Sequence, residues 1–132
     1  MNLENIVAVS GMPGLYRMAG SRSNGMIVED MSSGKRRFAS VRKHQFTPLE
    51  SVSIYTMMDT TPLSDVFLNM SKQAKDEAIP ESNSGSSELQ AWFSKVLPDY
   101  DADRVLVSDI RKIIKWYNAL DAHQLLSSDE EE

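Results

Sequence analysis

The fold is decided by residues 52–70, VSIYTMMDTTPLSDVFLNM, where the spacing of the apolar residues changes. At the start of this stretch apolar and polar residues alternate, which is the pattern of a half-buried β-strand. From Leu63 onward the apolar residues recur three and four positions apart, which is the pattern of an amphipathic helix. The change near Asp59 therefore predicts an α+β protein, with a β domain over residues 1–58 and a helical domain over residues 59–126.

The β domain is predicted to contain five short antiparallel strands. Asn24-Gly25 indicates a hairpin turn of type I′, because that turn needs positive φ angles that Asn and Gly adopt at low cost. Thr47-Pro48 indicates a single helical turn before the last strand. This pattern is typical of a small SH3-like five-stranded barrel, whose curling removes most exposed strand edges. The predicted strands cover residues 6–9, 15–18, 26–29, 36–41 and 52–56.

The helical domain is predicted to contain three helices, each with one apolar face that must be buried against a neighbour. Thr61-Pro62 fits the start of the first helix, and a capping box from Ser87 to Gln90 fits the start of the second. Ser108 or Asp109 is expected to cap the third. The residues expected to be largely buried in the two domains are Ile6, Ile27, Ile54, Phe67, Trp92, Phe93, Ile113 and Tyr117.

Two further segments are polar. Residues 80–87 predict a polar loop or mobile linker between helices. Residues 127–132 are acidic and have nothing to bury, so a disordered tail is expected there. Residues 1–58 carry seven Lys or Arg and four Asp or Glu, a net charge of +3, whereas residues 59–132 have a net charge of −8. The acidic total disfavours a dedicated nucleic-acid binder but leaves a local basic surface possible.

The composition excludes several kinds of chemistry. The chain has no cysteine, which excludes disulfides, thiolate ligands and a cysteine nucleophile and favours a reducing compartment. Its first residues do not resemble a signal peptide, and no apolar run is long enough to span a membrane. We therefore expect a cytoplasmic protein that makes no membrane contact.

No motif for catalysis, a metal or a cofactor is found. Asp99, Asp101 and Asp103 imitate the start of a calcium loop, but Arg104 stands where the loop needs glycine and Ile110 where it needs glutamate. An inter-helix turn with Asx-type caps is the expected structure instead. His44 and His123 are far apart in the sequence and have no neighbouring ligand pattern. The sequence thus predicts no catalytic residue, no metal site and no cofactor.

A basic cluster is the most suggestive feature of the sequence. It consists of Arg36, Arg37, Arg42 and Lys43, and it is the candidate binding site. On a strand, Arg36 and Phe38 point away from the face of Arg37. Together with aromatic residues such as Tyr16, Phe46 and Tyr55, these cations would form a platform for phosphates and stacked bases. The alternative is a solvated hairpin tip without a binding role.

Four segments of the chain resemble a known family. They are NIVAVSGMPGLYRM (5–18), NGMIVEDMSSGKR (24–36), LESVSIYT (49–56) and LPDYDADRVLVSDIRKIIKWYNAL (97–120). The family consists of short, conserved, uncharacterised proteins of Bacteroidetes, in which a domain of unknown function precedes a second, small helical one. The resemblance extends from about Asn5 to Leu126. It implies a bacterial cytoplasmic origin and a barrel followed by helices, and it assigns no activity to any residue.

The sequence favours a non-enzymatic adaptor that binds an unidentified protein partner. One alternative is a nucleic-acid-binding protein that uses the basic hairpin of the N-terminal barrel. A second is an enzyme without a recognisable motif.

Overall fold

The structure is a computed structural model and describes residues 3–12 and 14–122. The predicted acidic tail and His123 lie outside these residues. The described chain divides into two compact units, an N-terminal unit up to Val52 and a C-terminal unit from Ser53 onward. The boundary between the units therefore lies earlier in the chain than the boundary predicted after Met58.

The N-terminal unit is a five-stranded antiparallel sheet followed by one turn of 3-10 helix at Leu49–Ser51. Its strands are β1 (Ile6–Val9), β2 (Leu15–Arg22), β3 (Gly25–Asp30), β4 (Arg36–Ser40) and β5 (Phe46–Pro48). They lie side by side in the order β4-β3-β2-β1-β5. One face of the sheet forms a small core of Val7, Val9, Tyr16, Val28 and Ala39, against which Met12, Met18, Met26 and Phe46 pack.

The predicted class, α+β, is confirmed, but the SH3-like barrel is not. Within the described residues the edge strands β4 and β5 do not pair with each other, so the sheet stays open. The stretch predicted as its fifth strand does form a strand, β6 (Ser53–Tyr55), but β6 belongs to the C-terminal unit. There it pairs with β7 (Thr60–Pro62). The fifth position in the sheet is occupied instead by β5, which lies just before the 3-10 turn.

The turn between β2 and β3 also differs from the prediction. The two strands pair from Arg22 opposite Gly25, so Ser23-Asn24 are the turn residues. Neither Asn24 nor Gly25 has a positive φ angle, which excludes a type I′ turn. Gly25 is instead needed for space, because a Cβ at this position would overlap the Ala39 carbonyl oxygen and the Phe38 ring on β4.

The C-terminal unit contains the β6–β7 hairpin and three helices, α1 (Leu63–Ala74), α2 (Ser86–Val96) and α3 (Val107–Ala122). Both tryptophans of the chain, Trp92 and Trp116, belong to α2 and α3. The apolar stripes of the helices are buried as predicted. The fully buried side chains of this unit include Phe67, Met70, Leu89, Phe93, Ile110, Ile114 and Leu120.

The helix starts follow the prediction only in part. Thr60–Pro62 form β7, so the first helix begins at Leu63. Gly85 precedes α2 and no side chain caps that helix, so the predicted capping box at Ser87 is wrong. α3 begins at Val107, before the two residues predicted to cap it, and Asp109 lies in its first turn, where its Oδ2 accepts the Leu106 N–H at 2.9 Å.

Of the residues expected in the core, only Ile27 is not buried. Alternate residues of β3 point to opposite faces of the sheet, and Val28 occupies the core face. Ile27 is therefore on the opposite face, where it is half-buried. The polar segment predicted as a loop or linker is held by α3, since Arg111 donates hydrogen bonds to the carbonyl oxygens of Ser82 and Ser84.

Candidate functional site

The four cations of the predicted site lie on the edge strand β4 and in the turn that follows it. Arg36 and Arg37 are neighbours on the edge strand β4 and lie on opposite faces of it, as predicted. Arg42 and Lys43 lie in the turn after β4, where the Ser40 side chain and carbonyl accept hydrogen bonds from their backbone N–H groups. All four side chains are exposed. Of the aromatic residues predicted to accompany them, Tyr16 is buried in the sheet core, Phe46 packs against that core, and Tyr55 belongs to the C-terminal unit.

Arg36 has a different set of neighbours, on the face of the sheet opposite the small core. The Glu29 side chain lies between those of Arg17 and Arg36 in the strand register, and Arg36 Nε is 3.1 Å from Glu29 Oε1. Phe38, the next residue of β4 on this face, lies over Gly25 with its side chain nearly half exposed. We call Arg17, Glu29, Arg36 and Phe38 the outer sheet face. The Glu29 carboxylate neutralises part of the positive charge of this face.

A second exposed surface lies at the tip of the β6–β7 hairpin. Ile54 and Thr56 point into the C-terminal unit, so their neighbours Tyr55 and Met57 point outward. The exposed fraction is 67% for Met57 and 93% for Met58.

This hairpin tip is held in place by backbone hydrogen bonds. The Met57 N–H donates to the Asp99 carbonyl and the Asp101 N–H donates to the Tyr55 carbonyl, both at 2.9 Å. Within the turn, the Thr56 N–H donates to the Asp59 carbonyl, and the Asp59 N–H donates to Thr56 Oγ1. These hydrogen bonds to the loop between α2 and α3 hold the backbone of the hairpin tip that carries the two methionines.

Charged groups surround the two methionines. The Arg104 guanidinium lies 5.0 Å from the centroid of the Tyr55 ring, and Arg104 Nε is 3.7 Å from Asp101 Oδ2. Asp59 and Asp99 are exposed beside the methionines. We call this the methionine hairpin surface; it consists of Tyr55, Met57, Met58, Asp59, Asp99 and Arg104.

The sequence analysis missed this surface, although a signal was present. Turns are usually polar, and Met57-Met58 are apolar residues in the middle of one. That anomaly becomes visible only when residues 53–62 are treated as a hairpin rather than as one strand followed by a helix cap.

Two of the groups considered for metals and catalysis, Asp101 and His44, make structural contacts. Asp101 Oδ1 accepts the Asp103 N–H at 3.0 Å, which confirms the predicted Asx-type turn. His44 Nδ1 lies 2.7 Å from the Ser10 carbonyl oxygen. Over residues 3–12 and 14–122, no group of three or more His, Cys, Asp or Glu is placed to hold a metal ion. In the same part of the chain, no helix is both long and apolar enough to cross a membrane.

A shallow cleft of about 280 Å³ lies beside α2. The ion pair between Lys95 and Glu77, 2.8 Å between Nζ and Oε2, lies in its wall. Trp92 also lines the cleft, but its indole Nε1 is buried and has no hydrogen-bond partner among the described residues. The cleft therefore presents few polar groups to a ligand beyond those already paired.

The comparisons with known proteins agree with the resemblance found in the sequence. The chain is similar to a protein from Bacteroides vulgatus whose solution NMR structure was determined by a structural genomics consortium. The identity is 33% and the TM-score 0.75, over 94% of this chain and 89% of the other. A search of curated proteins finds no match.

Two family models match the sequence, and both describe domains of unknown function. Residues 3–49 match the domain of unknown function DUF5606, and residues 52–120 match the domain of unknown function DUF6852. The gap between the two matches, between residues 49 and 52, adjoins the boundary between the two structural units after Val52. Neither description names an activity, and the resemblance to an uncharacterised Bacteroidetes family is confirmed. The chain belongs to the DUF6852 family and carries a DUF5606 domain before its DUF6852 domain.

Proposed function

We propose that this protein is a non-enzymatic adaptor of the bacterial cytoplasm that binds another protein through the methionine hairpin surface. The observation that carries the proposal is the pair Met57-Met58, of which the first is two-thirds exposed and the second almost fully exposed, on a backbone that hydrogen bonds hold in place. Single exposed apolar residues are common on protein surfaces, but adjacent ones at a turn are not expected from turn chemistry.

The composition of the surface supports this proposal. Methionine, tyrosine and arginine are enriched in the buried centres of protein interfaces. Methionine in particular adapts its shape to a partner, because its side chain is unbranched and polarisable. Arg104 is already stacked over Tyr55, so part of the entropy cost of ordering these side chains on binding is already met.

A photo-crosslinking amino acid in place of Met58 tests whether this surface meets a partner. In a lysate of a Bacteroides species we expect a discrete crosslinked protein. The same group in place of Glu81, an exposed residue in the loop before α2, is the matched control and is expected to give no product. The same products from both positions would contradict the proposal.

The captured protein, once purified, allows a quantitative test. The double variant Met57→Ser/Met58→Ser should raise its Kd at least about ten-fold, equivalent to about 1.4 kcal/mol, because the buried apolar area of two side chains is lost. Leu68→Ser on α1, another exposed apolar position, should leave the Kd unchanged. Isothermal titration calorimetry measures both. A double variant that binds like the wild type would show that the hairpin is not the interface.

Nucleic-acid binding through the outer sheet face is a second candidate function. The observation that favours it is Phe38, an exposed aromatic ring next to Arg36 on an open sheet. Single-stranded nucleic acids bind to such surfaces by stacking bases on aromatic rings and pairing phosphates with cations. Arg22 lies on the same face, which therefore carries three arginines, one of them paired with Glu29.

Fluorescence anisotropy with labelled single-stranded RNA tests this second candidate. If three phosphates are contacted, the log–log slope of affinity against salt should be about −2, from about −0.7 per phosphate. Glu29→Gln should strengthen binding, because it removes the anion between Arg17 and Arg36, and Arg36→Glu should weaken it. Lys72→Glu, an exposed cation on α1, is the control. We expect no tight complex at physiological salt; a tight, salt-sensitive complex would promote this candidate over the adaptor.

A further inference from the structure

We infer that the segment bound by the methionine hairpin surface is cationic: a stretch of polypeptide in which Lys or Arg residues flank an apolar side chain. This inference rests on the proposed function and adds to it the chemical class of the partner. The apolar part of the segment would cover the two methionines, and its cations would face the carboxylates that border them.

Within residues 3–12 and 14–122, the carboxylates bordering the methionines have no cationic partner. Asp59 follows Met58 directly in the turn, and Asp99 is joined to Met57 through the backbone. Asp103 lies in the same loop as Asp99 and is also exposed. Among the described residues, no Lys or Arg side chain lies within ion-pair distance of these three carboxylates. These negative charges are therefore available to a ligand.

The one cation of the surface is already engaged. Arg104 stacks on Tyr55 and pairs with Asp101 at 3.7 Å, so it does not reach the other three carboxylates. The net charge of −8 over residues 59–132 adds a long-range field of the same sign. A cationic segment would be attracted by that field and would associate faster than a neutral one, whereas an acidic segment would be repelled.

The same charges disfavour other occupants. The last four residues of the chain are Asp129, Glu130, Glu131 and Glu132, which carry the sign of the surface itself. A second copy of the chain carries a net charge of −5, so the acidic field of the surface repels it as a whole. A separate cationic partner is thus the occupant that the charges fit best.

Three short synthetic peptides test the inference against the full chain. In the first, leucines alternate with lysines; in the second, glutamates replace the lysines; in the third, serines replace the leucines. Two-dimensional NMR of the methionine methyl groups and backbone amides locates binding. We expect only the leucine–lysine peptide to bind tightly, with shifts at Met57, Met58 and the amides of residues 55–59.

Charge variants of the surface complete the test. Asp59→Asn/Asp99→Asn should raise the Kd of the leucine–lysine peptide about ten-fold, by about 1.4 kcal/mol. Neither carboxylate makes a hydrogen bond among the described residues, so the fold should be unchanged by circular dichroism. Glu81→Gln/Glu88→Gln, which removes two exposed carboxylates elsewhere in the C-terminal unit, is the matched control and should change the Kd less than about two-fold.

Each other result overturns the inference in a recognisable way. Equal binding of the glutamate peptide would leave an apolar docking surface but reject the cationic partner. Equal binding of the lysine–serine peptide, or shifts elsewhere on the protein, would show non-specific attraction. Absence of binding would reject the inference, while the crosslink at position 58 would still decide the proposed function. Methionine signals that move with protein concentration, and stop moving in the Asp59→Asn/Asp99→Asn variant, would identify a second copy as the occupant.

Discussion

Phe93→Ala is expected to lower the free energy of unfolding of the C-terminal unit by roughly 3–5 kcal/mol. Phe93 on α2 is fully buried and packs edge-to-face on Tyr100, with 4.9 Å between the ring centroids. Removal of the ring loses its transfer free energy and leaves a cavity, because the helices around it relax only in part. Urea denaturation followed by circular dichroism measures the loss.

The matched control for this variant is Phe38→Ala on β4. The chemical change is the same, but nearly half of the Phe38 surface is already in water, so the loss should be clearly smaller. A change below about 1 kcal/mol in Phe93→Ala would show that α2 does not pack as described. Equal losses in the two variants would contradict the difference in burial on which the prediction depends.

Gly25→Ala is expected to destabilise the N-terminal unit by about 3 kcal/mol, the upper end of the usual range for overpacking. The added Cβ would overlap both a backbone oxygen, that of Ala39, and the Phe38 ring. The ring is able to turn away at modest cost, but the oxygen moves only if β4 separates from β3. Thermal unfolding monitored by circular dichroism measures the effect.

Two further variants test this explanation. Gly20→Ala lies on the same face of the sheet, and its Cβ would make ordinary contacts of 3.6 Å with Ile27. That variant should be neutral or slightly stabilising, because alanine lowers the entropy of the unfolded chain. Gly25→Ala combined with Phe38→Ala should recover only part of the loss, since the backbone overlap remains. Full recovery would show that the ring alone causes the destabilisation.

The helical half of the fold was predictable because its signal is local. The apolar stripes of α1, α2 and α3 each recur with the helical period, and burial followed them closely, from Phe67 to Ile113 and Tyr117. Helix ends were less predictable. Thr61-Pro62 satisfies the chemistry of a helix start equally well when it closes a β-hairpin, and only its pairing with Ser53 and Ile54 decides between the two.

The β half shows why strand partners are harder to predict than strands. The alternation in residues 52–56 identifies a strand but says nothing of the strand beside it, since pairing depends on residues distant in the sequence. Here β6 pairs with β7 and leaves the fifth place in the sheet to Phe46–Pro48. The same reasoning explains Ile27, because the period of two does not determine which of the two faces is buried.

The candidate site was predicted from charge alone, and charge does not determine proximity. The four cations of the basic cluster are close in sequence, but the strand places Arg36 and Arg37 on opposite faces, and Arg42 and Lys43 lie in the turn after it. The residues of the methionine hairpin surface, by contrast, are distant in sequence and close in the structure. Its members come from residues 55–59 and from 99 and 104, and only the pairing of the hairpin with the α2–α3 loop brings them together.

The positions of Trp92 and Trp116, both in helices of the C-terminal unit, have a spectroscopic consequence. Indole emission reports on that unit alone, whereas far-ultraviolet circular dichroism also follows the sheet of the N-terminal unit, which contains no tryptophan. Coincident unfolding curves from the two signals indicate a single cooperative transition, and separated curves indicate that the two units melt independently. The two natural tryptophans therefore act as an intrinsic fluorescent probe of the C-terminal unit, and no engineered probe is needed to determine how many cooperative transitions the chain has.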